Sequence, residues 1–278
     1  MNIHELVRQK GIRINLSPRT TKTYQHCLAK FFQTTNIHPL KLKKKDIERY
    51  IHTLIDQNKS SSTINVHLSA LKFFYQKVLK RKLTLYIEFQ KNIKRLPEFL
   101  TQTELQKIFY VIQNPKHLLM VKIMYAAGLR VSELTNLKVK DLELDQEYLW
   151  VRQGKGRKDR ATILAKSLCQ ELRIWIQEQQ LEATNFLFPS YQKHRSLSTR
   201  TVYAIVKKAQ KKAQIHKNIH PHSFRHSFAT HLIEEGNSIQ EIQPLLGHRR
   251  IDTTMKYLHL ARPKLFKIQS PLDSINRI

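Results

Sequence analysis

The chain has 278 residues, 41% of them hydrophobic, and a formal net charge of +28. That much apolar material excludes wholesale disorder. No apolar run approaches the roughly 18 residues of a membrane span, and a start reading Met-Asn-Ile-His-Glu-Leu is not a signal peptide. The two cysteines, Cys27 and Cys169, stand far apart in no metal-ligand spacing, which argues against a disulfide framework or a cysteine-rich zinc site. The expectation is a soluble protein of the reducing cytoplasm, without a membrane partner.

A surface this basic attracts polyanions, nucleic acid first; a ribosome-associated or merely basic protein is the plain alternative. Residues 1–96 hold 20 Lys and Arg against 5 acids and residues 97–278 hold 29 against 16, so excesses of +15 and +13 make up the total. Two basic halves suit two domains gripping one duplex, whereas a disordered arm would concentrate its charge in one block.

The N-terminal half reads as helix. Ser17-Pro18 is an N-cap followed by a first-turn proline, and Tyr24, Leu28, Phe31 and Phe32 recur at helical spacing toward residue 35. A second helix runs from about Asp46 to Gln57 with Ile47, Tyr50, Ile51, Leu54 and Ile55 on one face. A third follows Ser60-Ser61-Ser62 and carries Ile64, Leu68, Leu71, Phe74, Tyr75 and Val78 toward Lys80, with a shorter piece near 85–92. Lys41, Lys43, Lys44 and Lys45 fall between the first two helices, where each alone is an ordinary solvated lysine and the set suits phosphates. Residues 94–98, around Pro97, break the helical period and form the linker candidate.

The C-terminal half is shaped by turns. Thr101-Gln-Thr-Glu104 is a capping box opening a helix to about Gln113. Residues 116–127 form a second helix that stops at Gly128, and a short helix begins over Leu129–Leu134. The period then changes: residues 147–164 read as a β-hairpin with the basic tip Gln-Gly-Lys155-Gly-Arg157-Lys158, and a third strand precedes it near Asp141–Leu144. Helices resume at 166–180 and 198–213. Phe224, Phe228 and Leu232 at i, i+4 and i+8 mark a packed helix, around which His226 and His231 read as packing residues. Ser238-Ile-Gln-Glu241 caps a helix ending at Gly247, and residues 252–259 carry Tyr257. The tail 261–278 contains Pro263 and Pro271 and no clear period.

His222, Arg225, His248 and Tyr257 fall close together in sequence. A phenol with pKa about 10 is a weak nucleophile at neutral pH. It becomes useful when cations hold an electrophile in line with it and stabilise the developing charge, and a phosphodiester is the electrophile best matched to Arg and His donors. Arg130 after a Gly-Leu turn and Lys155 on the hairpin tip complete an ordered set. Lys158 competes with Lys155 for the tip role. A zinc site from His220, His222, His226 and His231 is a weaker reading of the same histidines.

These residues, in order and spacing, resemble the tyrosine recombinase (phage integrase) family over about 98–260. The motifs that carry the likeness are Ala-Ala-Gly-Leu-Arg-Val-Ser-Glu-Leu, His-Ser-Phe-Arg-His-Ser-Phe-Ala-Thr-His-Leu, and Leu-Leu-Gly-His followed by Thr-Thr-Met-Lys-Tyr. The resemblance implies a mainly α fold with a small antiparallel β-sheet. Residues 1–93 would be a helical core-binding, SAM-like domain, and residues 99–278 an α+β catalytic domain. It implies site-specific recombination of double-stranded DNA by transesterification through a 3′-phosphotyrosyl intermediate and a Holliday junction, with no metal, ATP or other cofactor. Tyr257 would be the nucleophile and Arg130 and Arg225 the phosphate clamps. Lys155 would be the acid for the leaving 5′-oxygen, His222 a base toward the tyrosine or its holder, His248 a donor to phosphate, and Glu133 an orienting residue. Further DNA contacts would come from Lys41, Lys43, Lys44, Lys45, Arg157, Lys158, Arg249 and Arg250. The working assembly would be a homotetramer on DNA, or a heterotetramer with a paralogue, associated with the nucleoid, with the tail 261–278 on a neighbouring protomer. Two departures stand out: Pro244 inside the helix before Gly247-His248, which should kink or shorten it, and Arg249-Arg250 where small polar residues are usual. A DNA-binding protein that has lost catalysis, and a type IB topoisomerase-like enzyme, are the alternatives.

Overall fold

The structure is a computed structural model, described here for residues 2–81, 98–152, 159–191, 195–248, 250–258 and 260. The chain divides into two compact units, Met1–Arg95 and Leu96–Ile278. The expected helix near 85–92, the linker 94–98, the hairpin tip with Lys155, Arg157 and Lys158, and Arg249 lie outside the described residues, apart from Glu98 at the linker's end; so does the tail 261–278.

The first unit is helical: α1 (Ile3–Arg13), α2 (Pro18–Thr35), α3 (Lys44–Asp56) and α4 (Ser61–Phe73), the last running into a π-helical turn at Phe74–Val78. The Ser17 and Ser60 hydroxyls accept from the amides of Thr20 and Thr63, capping α2 and α4. Leu28, Phe31, Ile47, Ile51, Leu54, Ile64, Leu68 and Phe74 make the core, with the Phe31 ring set edge-on to Tyr50. The Tyr50 hydroxyl is buried there against His67 Nδ1 at 3.1 Å. The helix α1 is an addition to the sequence reading, and α3 begins earlier than read. Lys44 and Lys45 therefore sit in its first turn rather than in a loop, while Lys41 ends a 3₁₀ turn over Pro39–Lys41.

The second unit comprises α5 (Gln102–Val111), α6 (Pro115–Ala126), α7 (Val131–Asn136), α8 (Lys166–Glu178), α9 (Thr199–Lys212), α10 (Pro221–Glu234), α11 (Ile239–Leu246) and α12 (Asp252–Met255) with one small sheet. The strands β1 (Leu142–Glu143), β2 (Tyr148–Val151) and β3 (Arg160–Ile163) are antiparallel in the order β1-β2-β3, and Val151 pairs with Arg160 at the end nearest the hairpin tip. Thr162 on β3 hydrogen-bonds the Ala127 carbonyl at 3.0 Å, tying the sheet to the end of α6. The capping boxes at Thr101–Glu104 and Ser238–Glu241 form as read. Pro244 is accommodated: α11 continues through it to Leu246 and ends on Gly247 in the left-handed region, φ 60°. The final helix is shorter than read. It stops at Met255, and Tyr257 lies in the turn just beyond, its amide bonded to the Thr254 carbonyl at 2.9 Å. Both cysteines are free and buried, one in each unit. No helix among the described residues is long and apolar enough to cross a membrane.

Candidate active site

Four segments of the second unit converge. The first is the turn from α6 to α7. Gly128 takes φ +57°, and a β-carbon there would lie 2.5 Å from Phe228 Cδ1, so the turn needs a residue without one. The turn delivers Arg130 as the N-cap of α7, and Glu133 closes a capping box by accepting the Arg130 amide at 2.8 Å.

Glu133 is a hub. Its carboxylate accepts Arg130 Nη1 at 2.6 Å and takes both terminal nitrogens of Arg160, each at 2.8 Å, while Arg225 Nη1 stands 3.8 Å away. Burial opposes the charge on Glu133, but the hydrogen bonds and charge of Arg160, joined by the Arg130 amide and guanidinium, hold its carboxyl down at about 2. Glu133 is therefore an anion at any ordinary pH.

The second segment is α10. Arg225 is 3% exposed and donates to the Gly128 carbonyl at 2.7 Å and to the Leu246 carbonyl. Arg130 Nη2 reaches that same Leu246 carbonyl at 3.4 Å. Burial, then the like charge of Arg130, push the Arg225 guanidinium down to about 9, which leaves it charged at neutral pH.

The third segment is the end of α11. Arg160 Nε donates to the Leu245 carbonyl at 2.8 Å, and the Arg160 stem passes so close to Gly247 that a β-carbon there would meet its Cδ at 2.8 Å. His248 follows. Its Nε2 lies 3.2 Å from Arg225 Nη2 and its Nδ1 lies 2.9 Å from the Thr254 hydroxyl. Burial, then Arg225 and Arg130, depress the imidazole to about 3, so it is neutral. A guanidinium has no lone pair to offer; Nε2 is therefore the acceptor and Nδ1–H the donor to Thr254.

The fourth segment is the turn after α12. Tyr257 is 1% exposed, its ring parallel to that of His248 at a centroid distance of 6.3 Å, with Lys256 Nζ 4.9 Å from the ring centre. Burial raises the phenol to about 12 against the lowering pull of Arg225 and Arg130. The phenol oxygen lies 2.9 Å from His226 Nδ1.

The structure thus gathers Arg130, Glu133, Arg225, His248 and Tyr257. Of the other residues read from sequence, His222 is half-buried on α10 with its ring facing His220 at 6.0 Å, and the phenol contact expected of it belongs to His226 instead. His226, read as a packing residue, thus also holds the phenol, and His231 is buried with its ring bonded to the Tyr125 hydroxyl at 2.9 Å. Arg250 is exposed and pairs with Asp252 at 2.8 Å. Arg160 was not singled out in the sequence. It follows the basic hairpin tip and looks like one more charge of that run, and only its burial against Glu133 separates it. No three His, Cys, Asp or Glu side chains among the described residues converge as metal ligands.

Comparisons with known proteins give the family. Residues 98–263 match the model of the phage integrase family, and residues 5–85 match that of the phage integrase N-terminal SAM-like domain. The chain is 33% identical over 274 residues to tyrosine recombinase XerD of Oceanobacillus iheyensis, covering 91% of this chain and 92% of that one. It is 35% identical over 243 residues to tyrosine recombinase XerA of Pyrococcus horikoshii, covering 87% and 83%. The crystal structure of XerA recombinase superposes with TM-score 0.56 at 27% identity, covering 99% of this chain and 98% of that one. The fold is shared with XerH site-specific recombinase bound to its difH substrate, with TM-score 0.71 at 23% identity and coverage of 96% and 84%. The chain belongs to the phage integrase family, the tyrosine recombinases.

Proposed function

We propose that this chain recombines double-stranded DNA at a specific site, with Tyr257 as the nucleophile. The observation that carries the reading is the meeting of Arg130 and Arg225 on one buried carboxylate and one carbonyl, with His248 against Arg225 and the Tyr257 ring against His248. Arg130 and Arg225 clamp the non-bridging phosphate oxygens in a fixed fork. Tyr257 attacks phosphorus to give a 3′-phosphotyrosyl link and release a 5′-hydroxyl. Lys155 supplies the proton to that leaving oxygen. His248, once its proton sits on Nε2, and His222 donate to phosphoryl oxygens, and Glu133 fixes the guanidinium cradle.

One phosphoester is exchanged for another, so the bond energy is conserved and the reaction requires neither ATP nor a metal ion. Residues 1–93, joined by 94–98 to the catalytic domain 99–278, grip the duplex, with Lys41, Lys43, Lys44 and Lys45 on phosphates and Arg157, Lys158, Arg249 and Arg250 adding contacts from the second domain. Four protomers, identical or shared with a paralogue, exchange strands in pairs through a Holliday junction, and the tail 261–278 docks on a neighbour.

A duplex nicked near the cleavage point tests the chemistry, because the short released strand diffuses away and the adduct accumulates. Wild type is expected to form a covalent protein–DNA species on a denaturing gel; Tyr257→Phe is expected to bind the same duplex and form none. An adduct from Tyr257→Phe at the wild-type level overturns the assignment.

A further inference from the structure

An attacking phenol must shed its proton, and at neutral pH the Tyr257 phenol holds that proton more firmly than a free tyrosine does. We propose that His226 is a catalytic residue, its Nδ1 holding the Tyr257 hydroxyl at 2.9 Å and taking its proton as the phenol oxygen attacks phosphorus. The proposal rests on the recombinase reading and deepens it.

Geometry carries the assignment. His226 directly follows Arg225 on α10. The imidazole and the phosphate clamp are therefore set by the same turn of one helix, and placing one places the other. The ring meets the Tyr257 ring at 5.6 Å between centroids and 48° between planes, and His226 is the hydrogen-bond partner of the phenol among the described residues.

The direction of the bond follows from the surroundings. Burial first, then Lys256, His222, His220 and Arg225, depress the imidazole to about 3, so it carries one proton. With that proton on Nε2 the lone pair at Nδ1 faces the phenol, and the phenol donates. A phosphodiester entering the site brings a negative charge that offsets the same cations and raises the basicity of the imidazole when it is needed.

The step balances. The new bond joins phosphorus to the phenol oxygen, the phenol proton moves to Nδ1, the bond from phosphorus to the 5′-oxygen breaks, and that oxygen takes a proton from the acid assigned to Lys155. On rejoining, His226 returns its proton to the departing phenol.

The same helix provides a control. His231 Nδ1 meets the Tyr125 hydroxyl at 2.9 Å in a tyrosine–histidine pair of the same kind, with Glu234 and Glu235 rather than arginines nearby. A pair that serves packing alone resembles this one.

The experiment uses the full chain. Wild-type protein first captures nicked duplexes covalently from a randomised pool, and one captured duplex becomes the substrate. Single-turnover adduct formation is then followed over roughly pH 6 to 9 for wild type, His226→Asn, His226→Ala and His231→Asn, with binding measured in parallel by gel shift. Asparagine retains a hydrogen-bonding group near the Nδ1 position but cannot take up a proton. Both His226 variants are expected to bind as wild type and to form adduct about 100-fold more slowly. Their rates should climb about tenfold per pH unit as tyrosinate becomes available, more steeply than wild type. His231→Asn is expected to cleave at the wild-type rate. A His226→Asn rate equal to wild type, or His226→Ala unchanged or faster, overturns the proposal. Failure of wild type to capture any duplex is a different result and removes the recombinase reading itself.

Discussion

Glu133 stands among guanidiniums with almost no access to water, and the consequences of disturbing it can be ranked. Its bidentate partner Arg160 has a side chain only 9% exposed. Removing one member of a buried ion pair leaves the other charge stranded, which costs about 3 kcal/mol or more. Glu133→Gln is therefore expected to lower unfolding stability in urea by about 3 kcal/mol and to slow adduct formation more than tenfold, since Arg130, Arg160 and the buried Arg225 then lose their shared counter-ion. Adding Arg160→Met to Glu133→Gln removes one of the cations left unpaired and should return part of the stability but not the cleavage rate. The residues gathered at the candidate site were legible in the sequence to different degrees. Arg130, Arg225, His248 and Tyr257 stood out because a spaced set of cations, imidazole and phenol has few other uses. His226 did not, since Phe224, Phe228 and Leu232 already supplied a packing explanation for its helix and its partner lies 31 residues away. Distance in sequence hid the contact, and only folding α10 against the turn after α12 reveals it.

Short elements do the positioning. The six residues of α7 and the four of α12 are too few to hold themselves together; each is fixed by what borders it. For α7 the border is Gly128, where a left-handed φ and the Phe228 ring together exclude a side chain. Gly128→Ala combines an unfavourable φ with a clash inside a packed core. It is expected to cost about 2 to 3 kcal/mol in urea unfolding and to lower the adduct rate through displacement of Arg130. At this scale the sequence was most readable where local chemistry decides the structure: serine caps, capping boxes and the paired strands Tyr148–Val151 and Arg160–Ile163 all appear as read. It was least readable where tertiary contact decides. The helix α1 buries only Val7 and Gly11, giving almost no periodic stripe, and Gly11 offers no side chain to read. In the fold it is the close approach to α2, where a β-carbon would lie 2.8 Å from the Thr21 hydroxyl. The final helix erred the other way, because Thr253, Met255 and Tyr257 continue no interruption visible in sequence while the chain turns at Lys256.

For the molecule as a whole, the positive charge of both units suits a long polyanion, but the catalytic unit holds a more concentrated version of the same feature. Around Glu133 stand Arg130, Arg160 and Arg225, three positive groups against one negative, a local surplus of 3 − 1 = +2. Like charges held this close repel, so folding the protein stores electrostatic work that a small anion can relieve. The catalytic unit should therefore behave as a weak receptor for free tetrahedral oxyanions, its melting temperature reporting their occupancy. An anion present at ten times its dissociation constant adds about 1.4 kcal/mol. Phosphate is expected to raise the thermal midpoint above that in chloride of equal ionic strength, and Arg130→Ala to lose most of the difference, leaving only the general exclusion effect common to any protein. A midpoint gain that is the same in Arg130→Ala would mean that the surplus charge is already neutralised within the fold. The arginine cluster that prepares this chain for a strand of DNA would then also decide which buffer keeps it folded.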